Sequence, residues 1–373
     1  MKRKLLFAIL LTVFLLTGCQ NTKKDTVSHT DTDASLLSVH FIDVGQGDAI
    51  LITCQSHAML IDAGDNSKGT AVQLYLKKQG ITKLDYVIAT HPDADHIGGL
   101  DVILYKFPCE QIFMPDCQNN TTTYHEVMDV IRQKNLKHMQ PKAGKQTYTL
   151  GSARFRIVGP LKKYENTNDN SLAVHLTNGE NSFLFMGDSG EEAEQTMLKR
   201  HENLHAQVLK VAHHGSKYST SAAFLKAVAP KYAIISCEEN NSYGFPTAQT
   251  LNRLRSQKVQ VFRTDEQGSI IATSNGSSIS WNTSPSTSWK AGENTQHSTS
   301  TSHIIPDKQT NRKTNAALPK DITYVINKNT GKYHKPHCSA IKHMAKKNTL
   351  YSKKSADALN KEGYLPCKIC HPD

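Results

Sequence analysis

Four residues that can bind metal ions fall within six consecutive positions of the chain. They follow an apolar run typical of a buried strand and precede two glycines, and they are His91, Asp93, Asp95 and His96. A strand that ends in a tight loop lets several side chains converge on one point, where imidazole nitrogens and carboxylate oxygens bind divalent cations. The segment therefore predicts a metal centre. A metal ion bound there would activate water for hydrolysis.

A second group of metal-binding residue types lies near the C-terminal end of the sequence. A His-x3-Cys half and a Cys-x2-Cys half predict a tetrahedral zinc site. The expected ligands are His334, Cys338, Cys367 and Cys370, with His337 and His371 as spare ligands. A structural metal suits a segment of about 50 residues, because so short a chain builds only a small core. A disulfide between Cys367 and Cys370 is the alternative, which export would favour.

The elements that must position these residues alternate between strands and helices. Apolar runs typical of strands end at Asp62, His91, Asp188 and the pair 213–214. Amphipathic runs predict helices over residues 70–80, 123–135, 191–200, 221–228 and 248–256. Many strands interleaved with fewer helices indicate a layered α/β domain.

The start of the chain reads as an export signal. Three basic residues precede an apolar run from Leu5 to Leu16, which is short for a membrane-spanning helix, and small residues precede Cys19. The pattern resembles a bacterial lipoprotein signal with Cys19 as the lipidated first residue of the mature chain. An uncleaved anchor and a plain signal peptide are the alternatives. We expect the folded chain to work outside the cytoplasm, lipid-anchored to the cell membrane.

Composition divides the chain into five segments. They are a signal peptide (1–18), a polar tether (19–36), the layered domain (37–282), a Ser/Thr-rich linker (283–320) and the zinc module (321–373). Apart from the N-terminal run, no stretch is apolar enough to enter a bilayer, so the chain has no transmembrane bundle of its own. Cys109 and Cys117 could form a disulfide, and the sequence leaves this open.

The basic excess of the sequence lies outside the layered domain. The chain has a net charge of +11, yet residues 37–282 are neutral, whereas residues 321–373 hold ten basic and four acidic residues. A basic module beside a neutral domain favours contact with a polyanion such as DNA. A solvated Lys-rich surface is the alternative. A hydrophobic content of 38% and a charged content of 21% exclude collagen-like, coiled-coil and wholly disordered chains.

The metal-binding loop and three other segments together resemble the metallo-β-lactamase family. Residues 90–99 resemble its His-x-His-x-Asp-His loop, with Asp93 where the second His usually stands. Residues 60–64, 185–188 and 211–216 resemble, in the same order, its early Asp-Gly strand end, the strand before its bridging Asp and its late His motif. The resemblance implies an α/β fold, a four-layer αββα sandwich.

Finer features narrow the resemblance. Residues 43–49, the Asp variant of the loop and the His-His-Gly-Ser motif are similar to the soluble domain of the DNA-uptake competence protein ComEC and its relatives, over about residues 37–282. Residues 322–373 resemble the zinc-binding module of the DNA-repair protein Ada, in which a Cys stands at the position of His334. The resemblance implies a small α+β module, and the substitution implies a structural, DNA-contacting role.

The resemblance implies two metal ions with separate ligands. One ion would be held by His91 and Asp93. The other would be held by Asp95 and His96, and His214 would complete its site. Asp188 would bridge the two ions in addition to these residues.

Three further residues receive roles from the same resemblance. His213 would face the substrate or a leaving group, although either histidine of the pair could complete the second site. Asp95 and His213 are therefore the expected catalytic residues. Asp62 would orient a ligand histidine from behind.

The chain departs from the family pattern in two places. Many members carry a further His before the bridging Asp. The corresponding stretch of this chain, residues 166–171, contains no histidine. The first site would then be one ligand short, or would use Asp169 or Asn170, because His175 lies in the following strand and is expected to pack there. Close relatives also carry Gly-His-Pro after the His pair, and Phe245 changes that substrate contact.

The resemblance implies an exported metal-dependent hydrolase that cleaves extracellular DNA during degradation or uptake. An Asp in place of a His favours Mn²⁺ over Zn²⁺ without excluding Zn²⁺, and the C-terminal module would hold one structural Zn²⁺. Ser216 and Lys217 could contact phosphate, or could simply be solvated. Two alternatives remain: an esterase for cell-wall phosphodiesters, phosphorylcholine or small esters, and a non-catalytic protein that captures DNA for the uptake machinery.

Overall fold

A computed structural model describes residues 36–200 and 202–292, together with parts of the range 324–370. The chain divides into two compact units, residues 1–300 and residues 301–373. Cys19, the predicted signal peptide and tether, and most of the predicted linker lie outside the described residues.

The described part of the first unit contains two mixed β-sheets. Its strands are β1 Leu37–Phe41, β2 Ile50–Cys54, β3 His57–Ile61, β4 Leu84–Ile88, β5 Cys109–Phe113, β6 His138–Met139, β7 Thr147–Leu150, β8 Ala153–Gly159, β9 Ala173–Asn178, β10 Asn181–Phe185, β11 Val208–Lys210, β12 Tyr232–Ile235, β13 Gln260–Arg263, β14 Ile270–Ser274 and β15 Ile279–Trp281. One sheet has the order β15-β14-β1-β2-β3-β4-β5-β6, and the other has the order β13-β12-β11-β10-β9-β8-β7.

Helices cover the outer faces of both sheets. They are α1 Gly69–Lys78, α2 Ala94–Ile97, α3 Leu100–Lys106, α4 Thr122–Gln133, α5 Glu191–Lys199, α6 Ala222–Val228, α7 Ala248–Ser256 and α8 Thr264–Gln267. Residues of α1, α3 and α4 pack on the first sheet, and residues of α5, α6 and α7 pack on the second. The layers therefore run helix, sheet, sheet, helix, as the resemblance implies.

Alternation along the strands builds the three apolar layers. Phe183 and Phe185 of β10 point into the layer between the sheets, whereas Leu184 packs under the helices of the second sheet. In β4, Ile88 likewise points into the layer between the sheets, whereas Val87 packs under the helices of the first sheet. Successive side chains of a strand point to opposite faces, so each strand contributes to two layers.

The loops that carry the metal-binding residues all leave one edge of the sandwich. β3, β4 and β5 are parallel, and so are β10, β11, β12 and β13. Parallel strands end at the same side of a sheet. The segments after β3, β4, β10 and β11 therefore meet, and they contain Asp62, the loop 90–99, Asp188 and the pair 213–214.

The first domain extends beyond its predicted end at residue 282. Trp289 and Ala291 pack against the core beneath the second sheet, and Arg255 lies over the Trp289 ring. The Gly292 amide also donates to the Pro246 carbonyl. Residues 283–292 thus belong to the domain rather than to the linker, because one tryptophan anchors a segment whose composition is otherwise polar.

The second unit contains a small four-stranded sheet. Its elements are β16 Tyr324–Asn327, β17 Lys332–His334, β18 Thr349–Ser352, helix α9 Ala356–Lys361 and β19 Leu365–Pro366, in the sheet order β18-β16-β17-β19. Within the described part of this unit, the buried core consists of Tyr324, Ile326, Tyr333 and Leu359. A core of this size is small, as expected for a module that depends on a metal.

Within the described ranges, no helix has the length and apolar character needed to cross a bilayer. Cys109 and Cys117 are both free thiols in this structure, so the disulfide that the sequence left open is not formed here.

Candidate metal centre

Asp188 lies at the centre of a cluster of histidines, and each of its two oxygens faces a different pair. Oδ1 lies 3.2 Å from Nε2 of His96 and 3.5 Å from Nε2 of His214. Oδ2 lies 3.9 Å from Nε2 of His91 and 3.7 Å from Nε2 of His213. A carboxylate so placed can bridge two cations.

Two aspartates of the loop 90–99 add one oxygen to each side. Oδ2 of Asp95 lies 3.3 Å from Nε2 of His214 and 3.8 Å from Nε2 of His96. Oδ2 of Asp93 lies 3.8 Å from Nε2 of His91. Two ligand atoms that each lie about 2.0–2.2 Å from the same ion are roughly 3–3.5 Å from each other. The distances between the oxygen and nitrogen atoms here are close to that range, as expected for atoms that bind one cation.

Several of the converging atoms are buried and have no hydrogen-bond partner in the described part of the chain. They are Nε2 of His91, His96 and His214 and Oδ1 of Asp188. Buried polar atoms without partners are costly, and a group of them aimed at one point calls for an explanation. Nitrogen and carboxylate donors match divalent transition metals, so the residues present fit a pair of such ions.

The other ring nitrogen of each buried histidine is held by a specific partner. His96 donates from Nδ1 to Oδ2 of Asp62 at 2.8 Å, and His214 donates from Nδ1 to the Ser236 carbonyl at 2.9 Å. The Thr90 hydroxyl donates to Asp62, so His91 donates its Nδ1 proton to Thr90 Oγ1 at 3.1 Å. These bonds leave the Nε2 lone pairs facing the cluster.

The buried charges shift the pKa values of the metal-free cluster in opposite directions. Burial lowers the pKa of His91 to about 3. Burial also favours neutral His96, but the Asp188 and Asp62 carboxylates outweigh it and raise the pKa of His96 well above its usual value. Burial alone would raise the pKa of Asp188, yet His96 and His214 hold it well below its usual value.

The backbone of the His pair is strained. His213 and His214 have φ of 49° and 52°, in the left-handed region that non-glycine residues rarely adopt. This conformation lets neighbouring residues reach different oxygens of Asp188. Strain of this kind persists where the surrounding structure fixes it, and it is concentrated at functional sites.

The six ligands that the resemblance assigned to the two-metal centre lie together in the structure. His213, which the resemblance placed towards the substrate, lies beside them. Its Nε2 faces the same oxygen of Asp188 as His91, on the side that was expected to lack a ligand. Asp169 accepts hydrogen bonds from the amides of Gly190 and Ala193 instead. Its role is therefore to hold the loop after Asp188.

The other residues considered for the first site also have partners elsewhere. Asn170 donates to the Tyr164 and Asn166 carbonyls, and His175 bonds the His205 carbonyl at 2.9 Å. Of the two expected phosphate contacts, Ser216 is buried, whereas Lys217 is exposed beside the pair.

Sequence reasoning missed a buried ion pair behind the cluster. Nζ of Lys210 lies 2.9 Å from Oδ1 of Asp48, and that oxygen lies 3.7 Å from Nδ1 of His214. Lys210 also donates to the Val211 carbonyl. The sequence did contain one signal of this pair, a lysine within the apolar run 208–211. Such a run predicts a buried strand, and a fully buried lysine requires a partner of opposite charge.

The second unit gathers its four predicted ligands. Donor atoms of His334, Cys338, Cys367 and Cys370 all lie within 4.8 Å of one another. Both ring nitrogens of His334 are buried without a partner in the described residues, and none of the three cysteines forms a disulfide. The set fits a tetrahedral zinc ion, and the alternative disulfide between Cys367 and Cys370 is not formed here. His337 and His371 lie outside the described residues.

Comparison with known proteins agrees with this geometry. A model of the metallo-beta-lactamase superfamily matches residues 42–238, and a model of the metal binding domain of Ada matches residues 311–373. The chain is 31% identical over 251 residues to ComE operon protein 3 of Bacillus subtilis, which covers 62% of this chain and 32% of that protein. It is 28% identical over 262 residues to competence protein ComA of Neisseria gonorrhoeae, which covers 69% of this chain and 34% of that protein.

The chain thus spans about a third of the length of these curated relatives. Among solved structures, the metallo-beta-lactamase fold protein YhfI from Bacillus subtilis aligns with a TM-score of 0.46 at 13% identity, covering 64% of this chain and 100% of that one. Superfamily membership rests on the family model, which covers more than half of the chain. The chain belongs to the metallo-beta-lactamase superfamily, whose fold is that of metal-dependent hydrolases, and it carries in addition a zinc-binding domain of the Ada type.

Proposed function

We propose that this chain is a metal-dependent phosphodiesterase that cleaves DNA outside the cytoplasm. The observation that carries the proposal is the arrangement around Asp188, where each carboxylate oxygen faces two histidine nitrogens. Two divalent ions in such a centre activate water and neutralise the charge that develops on a phosphodiester during in-line displacement.

Each side of the centre would be held by residues of this chain. His91, Asp93 and His213 would hold one ion, with Oδ2 of Asp188. Asp95, His96 and His214 would hold the other, with Oδ1 of Asp188. Because the Nδ1 atoms of His91, His96 and His214 are already bonded, these rings are oriented before any ion binds.

The charge near the centre supports an anionic substrate. A cavity of about 400 Å³ is lined by Asn170 and Leu172, which flank the serine that bonds the Asp188 amide. Five cationic side chains also line it, and they are Lys142, Lys145, Lys162, Lys163 and Arg200. A cluster of this kind attracts a phosphate chain.

Two further observations favour DNA. One of the relatives bears the name of a competence protein, and residues 321–373 carry ten basic and four acidic residues. The lipoprotein-like start of the sequence supports a location outside the cytoplasm, with Cys19 as the membrane anchor. Association with DNA-uptake machinery is part of the same proposal.

The test is cleavage by the purified chain after chelation and addition of Mn²⁺, Zn²⁺ or Mg²⁺. Linear and circular DNA are compared, since cutting of circles identifies an endonuclease. His96→Ala should abolish cleavage, and His125→Ala, which alters an exposed histidine of α4, should not. DNA binding without cleavage under every metal would support the capture alternative. If DNA is neither bound nor cleaved, a phosphorylcholine ester and small phosphodiesters are the substrates to test.

A further inference from the structure

A cavity beside the metal centre has walls of exposed aromatic rings. It has a volume of about 560 Å³, and His213, Lys217, Tyr218, Tyr243 and Phe245 line it. Tyr243 is 62% exposed and Tyr218 is 68% exposed. Large side chains so exposed at the mouth of a site call for a ligand.

The aromatic rings continue from the cavity to the metal centre. Phe245 packs edge-on against His213, with ring centroids 5.4 Å apart and an interplanar angle of 71°. Tyr243 stacks on Phe245 at 5.5 Å and 12°. One face of Tyr243 is therefore covered by Phe245, while the side chain remains mostly exposed. The ring is a platform with a free face next to the reacting centre.

The loop that carries this platform is held in one conformation. Buried Asn241 accepts hydrogen bonds from the amides of Tyr243 and Phe245 through Oδ1, at 3.1 and 3.0 Å. Its Nδ2 donates to the carbonyls of Glu238 and Phe245. One side chain thus satisfies four backbone groups of the loop. A ring fixed in advance loses little conformational freedom when a ligand stacks on it.

The charge of the cavity selects among aromatic-binding ligands. Nζ of Lys217 lies 4.9 Å from the centroid of the Tyr218 ring, which makes this wall positive. Among the described residues that line the cavity, none is acidic. A cationic group such as choline is therefore disfavoured, although aromatic rings alone would accept it. A ligand with flat rings and negative charge matches both features.

We propose that the Tyr243–Phe245 platform stacks an unpaired nucleobase of the strand whose phosphodiester lies at the metal centre, so that the site acts on single-stranded nucleic acid. The inference rests on the proposed phosphodiesterase function and specifies its substrate. In a duplex the faces of the bases are covered by their neighbours, so a fixed tyrosine ring has no base face to contact. A base stacked on an aromatic side chain contributes about 1–3 kcal/mol, which corresponds to roughly 5- to 150-fold in affinity.

The test measures binding without cleavage. Every protein carries Asp188→Asn, and fluorescence anisotropy follows labelled hexamers of thymidine, of uridine and of abasic deoxyribose, together with a short duplex whose two ends are closed by ethylene glycol linkers. The thymidine hexamer should bind about tenfold or more tightly than the abasic hexamer, although both have the same phosphates. Tyr243→Ala should remove this difference, and Tyr243→Phe should retain it. Equal binding of the thymidine and uridine hexamers would include RNA among the substrates. Tighter binding of the thymidine hexamer than of the uridine hexamer would restrict the site to DNA.

Matched controls keep the result interpretable. Tyr105→Ala removes a tyrosine that is 54% exposed on α3, outside the cavity, and should change nothing. Equal affinity for thymidine and abasic hexamers, or equal binding of the duplex, would overturn the inference. Cleavage by the chain with native Asp188 is scored separately. If cleavage fails on all substrates while base-dependent binding persists, the phosphodiesterase proposal fails and the platform stands.

Discussion

Lys210 and Asp48 form an ion pair of 2.9 Å directly behind His214, and both side chains are almost completely buried. The two residues come from different sheets, β11 and the segment before β2. A buried pair costs desolvation on both sides, so removing only one partner leaves an uncompensated charge in the interior.

We therefore expect Lys210→Met to destabilise the first domain by about 3–5 kcal/mol. The double variant Lys210→Met with Asp48→Asn should recover part of this loss, because no charge remains unpaired. Chemical denaturation followed by circular dichroism measures both. Lys162→Met, which breaks an exposed pair with Glu192, should leave the midpoint unchanged. Equal effects of the buried and the exposed variant would contradict the expectation.

Asp62 should act on metal affinity through His96. Asp62→Asn removes the carboxylate that accepts the Nδ1 proton of His96, and we expect metal affinity to fall about 10- to 100-fold. Competition with a chromogenic chelator measures the affinity. The first domain provides a matched control, because Asp85 accepts the same kind of bond from His57 away from the centre. Asp85→Asn should leave metal affinity unchanged.

The two histidines of the 213–214 pair should each affect a different metal ion. His213→Ala should remove the ion next to His91, and His214→Ala the ion next to His96, so each variant should retain one ion. Metal content after dialysis, measured by mass spectrometry, gives the count. If His213→Ala keeps two ions and loses only turnover, His213 faces the substrate as the family resemblance implied.

Metal binding should strengthen as pH rises. Burial lowers the pKa values of His96 and His214, but the surrounding carboxylates outweigh it and raise both in the metal-free protein. These rings therefore keep their protons to a higher pH than ordinary histidines, and an ion must displace those protons. Titrations at pH 6, 7 and 8 should show rising affinity and proton release. Affinity that is independent of pH would contradict this assignment.

The stability of the metal-free protein should follow the opposite trend. A histidine whose folded pKa is raised stabilises the fold below its ordinary pKa of 6.5, and this contribution is lost as pH rises through the folded value. Thermal denaturation of chelated protein between pH 6 and 9 should therefore show a falling midpoint. The His96→Ala variant serves as the control, since its dependence should be weaker.

Zinc removal should unfold the second unit alone. Among the residues that the structure describes there, the apolar core has four buried members, and Cys338 and Cys367 are also buried. A chelator should expose the thiols of Cys338, Cys367 and Cys370 to a thiol reagent, while the first domain stays folded and still melts cooperatively, at a lower temperature because its own ions are also removed. If, of these three cysteines, only Cys338 reacts in the denatured, unreduced chain, Cys367 and Cys370 form a disulfide instead.

Local patterns were enough to predict a layered α/β domain and the loop 90–99, whereas the four-layer arrangement was implied by the family resemblance. Alternation in runs such as Phe183–Met186 marks strands directly, and four of the ligands are neighbours in sequence. Strand β5 and helix α3 were missed, because Cys109–Phe113 and Leu100–Lys106 are short and lack clear end signals.

Relationships between distant residues could not be read in the same way. The pairing of Lys210 with Asp48 depends on how the two sheets pack. The position of His213 depends on a left-handed backbone conformation. Histidine rarely adopts this conformation, so the residue type gave no indication of it. The end of the domain was placed too early because polar residues surround the anchoring Trp289.

The ligands of the metal centre come from both halves of the sandwich. His91, Asp93, Asp95 and His96 follow a strand of one sheet, whereas Asp188 and the 213–214 pair follow strands of the other. Bound ions would therefore cross-link the two sheets, and separating them would require release of the metal. By mass action, the resistance of the domain to proteases should then rise with the concentration of free metal, so that metal-starved molecules are the first to be degraded.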